Sequence, residues 1–277
     1  MIFNQPGTLA GGVRKAYVDT RFGQIHYRYL AAGNSDAPVV FFHRTPVTSA
    51  SFVPVMERLA GWRPMVAFDT PGFGASFTPE PDAAMPNFVA FFTAALDALE
   101  VETFHLVGHH TGAHFAAELA LHLPDRALSL MIDGAMVTTA EERAAQRSAP
   151  PVTVDEKGDY AQKAWDFLRP YYTCFDEQCI HAEFVGALSS TFTRSACMAA
   201  VLAHDLGAVL SGVSIPVLAS AAADDVFVNH LDRITAARPG TAIHTYENAG
   251  IASPELRAAT FAGLVRASAG SGIESQA

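Results

Sequence analysis

Gly108-His109-His110-Thr111-Gly112 puts an imidazole at the centre of a turn suited to presenting a reactive group. The apolar run Phe104-His105-Leu106-Val107 leads into it, and Ala116, Leu119 and Leu123 carry a helical repeat away from it. A Gly-x-Nuc-x-Gly segment between strand and helix holds its central residue on a strained bend, with the side chain exposed above the sheet. Serine is the usual occupant of that position. Here it is His110. Imidazole titrates near neutrality and suits proton transfer, and a covalent acyl-imidazole is the less common use of the ring. The bland alternative is an inert, packed histidine. His110, His114 and His43 also offer nitrogen donors, with four-residue spacing between the first two, but no carboxylate or cysteine completes a recognisable metal set, so no metal is expected.

The elements around this turn follow from periodicity. Ala16–Thr20 and Gln24–Tyr29 form a predicted hairpin about Phe22-Gly23. Short apolar runs at Pro38–His43, Met65–Asp69, Phe104–Val107 and Leu128–Ile132 suit buried parallel strands. Helical repeats fall at Phe52–Leu59 and Asn87–Leu99, the latter with Phe88, Phe91, Phe92, Ala95 and Leu99 on one face. This alternation implies a mostly parallel sheet with helices on both sides. The rhythm breaks near Met136. Helices are predicted at Ala140–Arg147, Tyr160–Leu168, Ile180–Leu188 and Arg194–Leu202, interrupted by Pro150-Pro151. Strands return at Ile215–Ser220 and Ala242–Tyr246, with helices at Leu231–Ala237 and Pro254–Val265 and a frayed tail after Ser268. The expected organisation is a core of residues 1–135 and 213–277, interrupted by a helical cap at 136–212. A segment inserted at the carboxyl edge of such a sheet would sit over the site.

The chain has 277 residues, half of them hydrophobic, and a formal net charge of −10. Nucleic acid and anionic membrane surfaces both need a basic patch, so neither is an expected partner. The start lacks the apolar run of a secretory leader, and no apolar stretch reaches membrane-spanning length. Cys174, Cys179 and Cys197 are odd in number without CxxC spacing and read as free, buried thiols in a reducing compartment. The expected setting is the cytoplasm, with a homodimer left open.

Taken together, these segments resemble the α/β-hydrolase family along nearly the whole chain. His43-Arg44-Thr45-Pro46 is similar to its His-Gly-x-Pro oxyanion turn, and Asp69-Thr70-Pro71-Gly72-Phe73-Gly74-Ala75-Ser76 to its Asp-x-Pro-Gly-x-Gly-x-Ser segment. The nucleophile elbow follows at 108–112, Pro124-Asp125-Arg126 closes its helix, and Ala223-Asp224-Asp225-Val226-Phe227-Val228 resembles the acid loop. The cap-bearing branch of epoxide hydrolases, haloalkane dehalogenases and C–C bond hydrolases is the most similar. The resemblance implies Asp225 as the acid and the backbone N–H groups of Thr45 and Thr111 as an oxyanion hole. It also exposes departures. Ile251, in Asn248-Ala249-Gly250-Ile251, holds the place of the family histidine, and Arg44 stands where glycine is usual.

Imidazole reaches further than a serine hydroxyl, so His110 is expected to contact Asp225 directly. Asp133 is the competing acid, but ungapped spacing leaves it one residue short, which in a strand turns it to the other face. Arg44 is either a surface charge or an anchor for an anionic substrate. His43 and His109 read as packing residues, with His43 also a candidate substrate contact. Trp165, Phe167, Tyr171, Tyr172 and Phe175 are helix core by default, with Trp165 the candidate to touch ligand. The expectation is an α/β-hydrolase-fold enzyme for a small, mainly apolar carbonyl or ester-like molecule, without organic cofactor, with His110 in place of serine. Non-hydrolytic acid–base work (lyase, decarboxylase, isomerase or cyclase) and a catalytically silent binding protein are the alternatives.

Overall fold

The computed structural model describes residues 12–34, 36–146, 153–173 and 176–270. The first strands are β1 (Arg14–Thr20), β2 (Gly23–Leu30) and β3 (Val39–Phe42). Helix α1 (Val53–Arg58), β4 (Met65–Phe68), α2 (Met85–Ala98), β5 (Phe104–His109), α3 (Thr111–His122) and β6 (Ala127–Asp133) follow. Five helices precede the next strand: α4 (Ala140–Gln146), α5 (Asp159–Leu168), α6 (Glu177–Ser189), α7 (Ser195–Ala203) and α8 (Leu206–Gly212). The chain ends through β7 (Val217–Ala222), α9 (His230–Ala237), β8 (Ala242–Tyr246), α10 (Ser253–Leu256) and α11 (Ala258–Ala269).

The eight strands form one sheet in the order β1-β2-β4-β3-β5-β6-β7-β8. β1, β2 and β4 pair antiparallel, and the rest of the ladder is parallel. Strand order reverses around β3 and β5, so the loops leaving their carboxyl ends diverge and open a crevice there. The turn after β5 carries His110, and the turn after β3 carries Arg44 and Thr45.

Side-chain alternation along the strands separates two cores. Val40, Phe42, Leu106, Leu130, Ile132 and Ala219 pack with α2 and α3, whereas Val39, Phe41, Val107, Met131 and Leu218 pack with α11. The same alternation governs polar residues at strand ends. His109 and Asp133, paired across β5 and β6, share the parity of Val107 and Met131 and therefore face the α11 side. Phe261 of α11 lies edge-on to His109 with ring centroids 6.2 Å apart.

Most predicted elements appear with small changes at their ends. The last predicted helix is two, α10 and α11, because Arg257 leaves the helical region at φ −124° and ψ 40°. Helix α8 had no predicted counterpart. Arg147, Pro150-Pro151, Cys174, Phe175 and the tail from residue 271 lie outside the described residues. Cys179 and Cys197 are buried free thiols. Among the described residues no single helix is long and apolar enough to cross a membrane.

Candidate active site

His110 occupies the bend between β5 and α3 with φ 49° and ψ −114°, a backbone state that non-glycine residues rarely hold. Such a residue costs about 1–3 kcal/mol and persists only where its surroundings over-determine it. Three glycines do so here. A Cβ at Gly108 would meet the Ala113 Cα at 2.4 Å, and one at Gly112 would meet the Phe42 carbonyl oxygen at 2.0 Å. Gly134, with φ +56°, lies against the imidazole itself: a Cβ there would stand 2.4 Å from His110 Nε2 and 2.8 Å from Asp225 Oδ2. The His110 N–H donates to the Asp133 carbonyl at 2.8 Å, tying the bend to the end of β6.

The imidazole meets Asp225 directly, Nε2 to Oδ2 at 2.8 Å. Asp225 is buried, and its other oxygen accepts the Phe227 N–H at 2.7 Å. Phe227 packs on the His110 ring at a centroid separation of 5.4 Å. An ionised carboxylate only accepts hydrogen bonds, so Nε2 carries the proton of the neutral ring and Nδ1 holds its lone pair. His110 is 7% exposed.

Asp133 lies elsewhere. Its Oδ1 accepts Ser220 Oγ and Tyr246 Oη, each at 2.7 Å, and His109 Nε2 is 3.5 Å from its Oδ2. Burial, only partly offset by those two bonds, raises its carboxyl to about 6. His109 is also fully buried, which pushes its imidazole well below the usual range.

The oxyanion turn differs from expectation. Thr45 N–H donates to Thr111 Oγ1 at 2.8 Å, so the threonine side chain that follows His110 occupies this donor. That leaves the Thr111 hydroxyl hydrogen, and the Thr111 N–H at the first residue of α3, where a helix has no internal acceptor. Thr45 Oγ1 faces Met198 Sδ of α7 at 3.3 Å, and a Cβ on Gly186 of α6 would meet the Pro46 carbonyl oxygen at 2.3 Å. Helices α6 and α7 thus close onto this turn.

Arg44 is neither a surface charge nor a free anchor for an anionic substrate. It is 1% exposed, and its guanidinium is spent on protein groups. It bonds Glu183 at 2.9 Å, Glu255 at 2.8 Å and the Tyr172 hydroxyl at 3.3 Å, and Tyr172 donates to Glu183 at 2.9 Å. Burial works against the charge, but Glu255 and Glu183 outweigh it and hold the guanidinium firmly protonated. The physical reason is desolvation: a cation taken from water into the protein needs opposite charge beside it.

His43 is likewise committed. Its Nε2 accepts the Thr70 N–H at 2.9 Å, so its Nδ1–H donates to the Arg44 carbonyl at 2.7 Å, leaving no ring nitrogen for substrate. Burial lowers its basicity. Trp165 packs edge-on to Phe184 at 5.5 Å and borders a shallow cleft with Gly158, Ala161 and Gln162, apart from the elbow. Ile251 is buried with Tyr172, Cys179 and Ile180, so the position where the resemblance expects a histidine is an apolar contact with α6 and the segment before it. His43, His110 and His114 each bond different partners and do not converge. Among the described residues no group of three or more His, Cys, Asp or Glu side chains could hold a metal ion. Sequence reasoning missed Gly134, Phe227, Met198 and the partners of Arg44. Only Gly134 left a local signal, a glycine directly after a strand.

The family model described as alpha/beta hydrolase fold matches residues 37–173. A haloalkane dehalogenase of Agrobacterium fabrum is 33% identical over 127 residues, 46% of this chain and 41% of that protein. A 2-hydroxy-6-oxo-2,4-heptadienoate hydrolase of Pseudomonas putida is 32% identical over 139 residues, 48% of this chain and 45% of that protein. The chain therefore spans less than half the length of these curated relatives. A crystal structure of a hydrolase from Pseudomonas aeruginosa superposes with a TM-score of 0.75 at 22% identity, covering 93% of this chain and 98% of that one. The chain has the α/β-hydrolase fold, and its sequence is similar to α/β-hydrolase superfamily members over residues 37–173.

Proposed function

We propose that this protein is an enzyme in which His110 and Asp225 transfer protons on a small, mainly apolar carbonyl or ester-like substrate. The observation that carries the reading is the 2.8 Å bond between His110 Nε2 and the buried Asp225 carboxylate, made by a residue held on a strained bend. That bond orients the ring and leaves Nδ1 as the base. In the hydrolytic form, Nδ1 takes a proton from water as the water oxygen attacks the carbonyl carbon. Asp225 stabilises the imidazolium that results. The Thr111 N–H and hydroxyl stabilise the developing oxyanion, and the imidazolium returns its proton to the leaving group. No serine is required. The relatives include proteins named as a haloalkane dehalogenase and a 2-hydroxy-6-oxo-2,4-heptadienoate hydrolase, and the second name motivates carbonyl substrates in the test set.

The test is a panel of esters, enol-lactones and diketones incubated in water enriched in heavy oxygen, with product masses recorded. Hydrolysis by this site yields product carrying one solvent oxygen, and both His110→Ala and Asp225→Asn abolish it. Turnover without solvent oxygen moves the chemistry to the non-hydrolytic acid–base class. Turnover that survives both substitutions refutes the site.

A further inference from the structure

His110, His114, Glu118 and His122 recur every four residues, from the bend at the start of α3 to its end. His114 is fully buried, and its Nδ1 lies 2.8 Å from Nδ1 of His204, which follows α7. His204 Nε2 in turn lies 2.7 Å from Glu118 Oε1, and the other Glu118 oxygen is 3.1 Å from His122 Nδ1. The His122 side chain is 56% exposed. His204 also borders a cleft of about 370 Å³ between the start of α2, at Met85, and the end of α7, at Ala203. Asp82 and Asp205 line that cleft as well, and Asp205 is paired with Arg143 at 2.7 Å.

The proton positions follow from the carboxylate. Glu118 accepts, so His204 carries its proton on Nε2. His204 Nδ1 is then an acceptor, and His114 must donate to it from Nδ1. His114 Nε2 is left as a bare lone pair, buried and without a hydrogen-bond partner among the described residues. A pair of histidines retained only for packing would gain nothing from that atom, since an unsatisfied buried acceptor destabilises the fold. Helical side chains lean toward the amino terminus of their helix, which for His114 is the end that carries His110. Burial, together with the charges of His204 and His110, also keeps His114 neutral, the form in which it can accept a proton.

We propose that His114 and His204, ordered by Glu118, form a proton shuttle linking His110 to solvent. The inference rests on the acid–base reading of His110. A proton leaving His110 Nδ1 reaches His114 Nε2, directly or through one water. His114 passes its Nδ1 proton to His204 Nδ1, and His204 passes its Nε2 proton to Glu118, whose partly exposed carboxylate releases it to solvent water. The chain of transfers moves one proton and inverts both tautomers. The reverse passage in the next half-cycle restores them. His114 and His204 are positioning and relay residues; neither needs to touch substrate.

The experiment is solution NMR of the full chain with its histidine ring nitrogens labelled, which requires no substrate. His114 is expected with its proton on Nδ1 and His204 with its proton on Nε2. Solvent exchange of the proton that His110 carries on Nδ1 in its imidazolium form is expected to slow about tenfold or more in His204→Gln, which keeps the fold and the hydrogen bonding but cannot relay, and in His114→Phe. In His204→Ala, free imidazole added to the buffer should restore the rate by entering the vacated cleft. Opposite tautomers, or unchanged exchange in a folded His204→Gln protein, overturns the shuttle. Unchanged exchange with full turnover removes the shuttle and leaves the proposed function standing. Relay-dependent exchange in a protein that turns over nothing on the panel removes the function and leaves the shuttle.

Discussion

Replacing Arg44 with methionine isolates what its buried charge does. Methionine keeps most of the apolar stem and removes the guanidinium, leaving Glu183 and Glu255 facing each other with Tyr172 as the remaining polar neighbour. Glu183 is 1% and Glu255 16% exposed at the side chain. With charge centres about 4 Å apart and an effective dielectric constant of about 20, each ion pair contributes about 4 kcal/mol of attraction. Desolvating three ions costs several kcal/mol each, so the intact cluster is near break-even. The variant retains the desolvation of two carboxylates and loses the attraction. Breaking a buried pair in this way costs about 3–5 kcal/mol. The carboxylates limit the loss by taking up protons in the folded state. Their folded pKa values then lie above the unfolded ones, so stability of the variant rises as pH falls and drops as pH rises through neutrality. Urea unfolding at about pH 8 and about pH 5, followed by circular dichroism and tryptophan fluorescence, reads this out. Trp165 reports on the insertion and Trp62 on the core beside α11. The expected loss is about 3–5 kcal/mol at the higher pH and clearly less at the lower. Adding Glu183→Gln and Glu255→Gln should recover at least half of it. A loss below about 1 kcal/mol, or one independent of pH, would refute the account of Arg44 as a charge held by two acids.

Three further outcomes are expected. Asp133, raised to about 6 by burial, binds its proton more tightly folded than unfolded, so its ionisation lowers stability as pH rises from about 4 through 6. Asp133→Asn should therefore gain about 2–3 kcal/mol at about pH 8 and nothing near pH 3, while an equal effect at both would contradict the assignment. Gly134→Ala places a methyl group 2.4 Å from His110 Nε2 on a backbone with φ +56°, and should cost about 1–3 kcal/mol and separate His110 from Asp225; an unchanged NMR chemical shift of the His110 Nε2 proton would count against it. On any substrate found, His110→Ala and Asp225→Asn should each remove most of kcat, and the double variant should lose little more, whereas multiplicative losses would mean that the two act separately.

Local sequence carried much of this architecture because its causes are local. Alternation along Phe104–Val107 and Leu128–Ile132 sets which face each side chain takes, and it was enough to turn Asp133 away from the elbow. Gly108 and Gly112 mark the bend because no side chain fits against Ala113 and Phe42, and that requirement is written in the chain at a fixed spacing. The reach of His110 to an acid was also legible, since imidazole is longer than a serine side chain and the acid loop follows a recognisable strand. The destination of Arg44 was not. Its partners lie 139 and 211 residues further along the chain, and nothing near position 44 distinguishes a surface charge from a buried one. The same holds for Thr45, whose N–H is claimed by a side chain 66 residues away, and for His204, which meets Glu118 across 86 residues. Backbone geometry depends on neighbours in sequence. Whether a polar group is satisfied, charged or free depends on what packing brings beside it, and only the tertiary structure decides that.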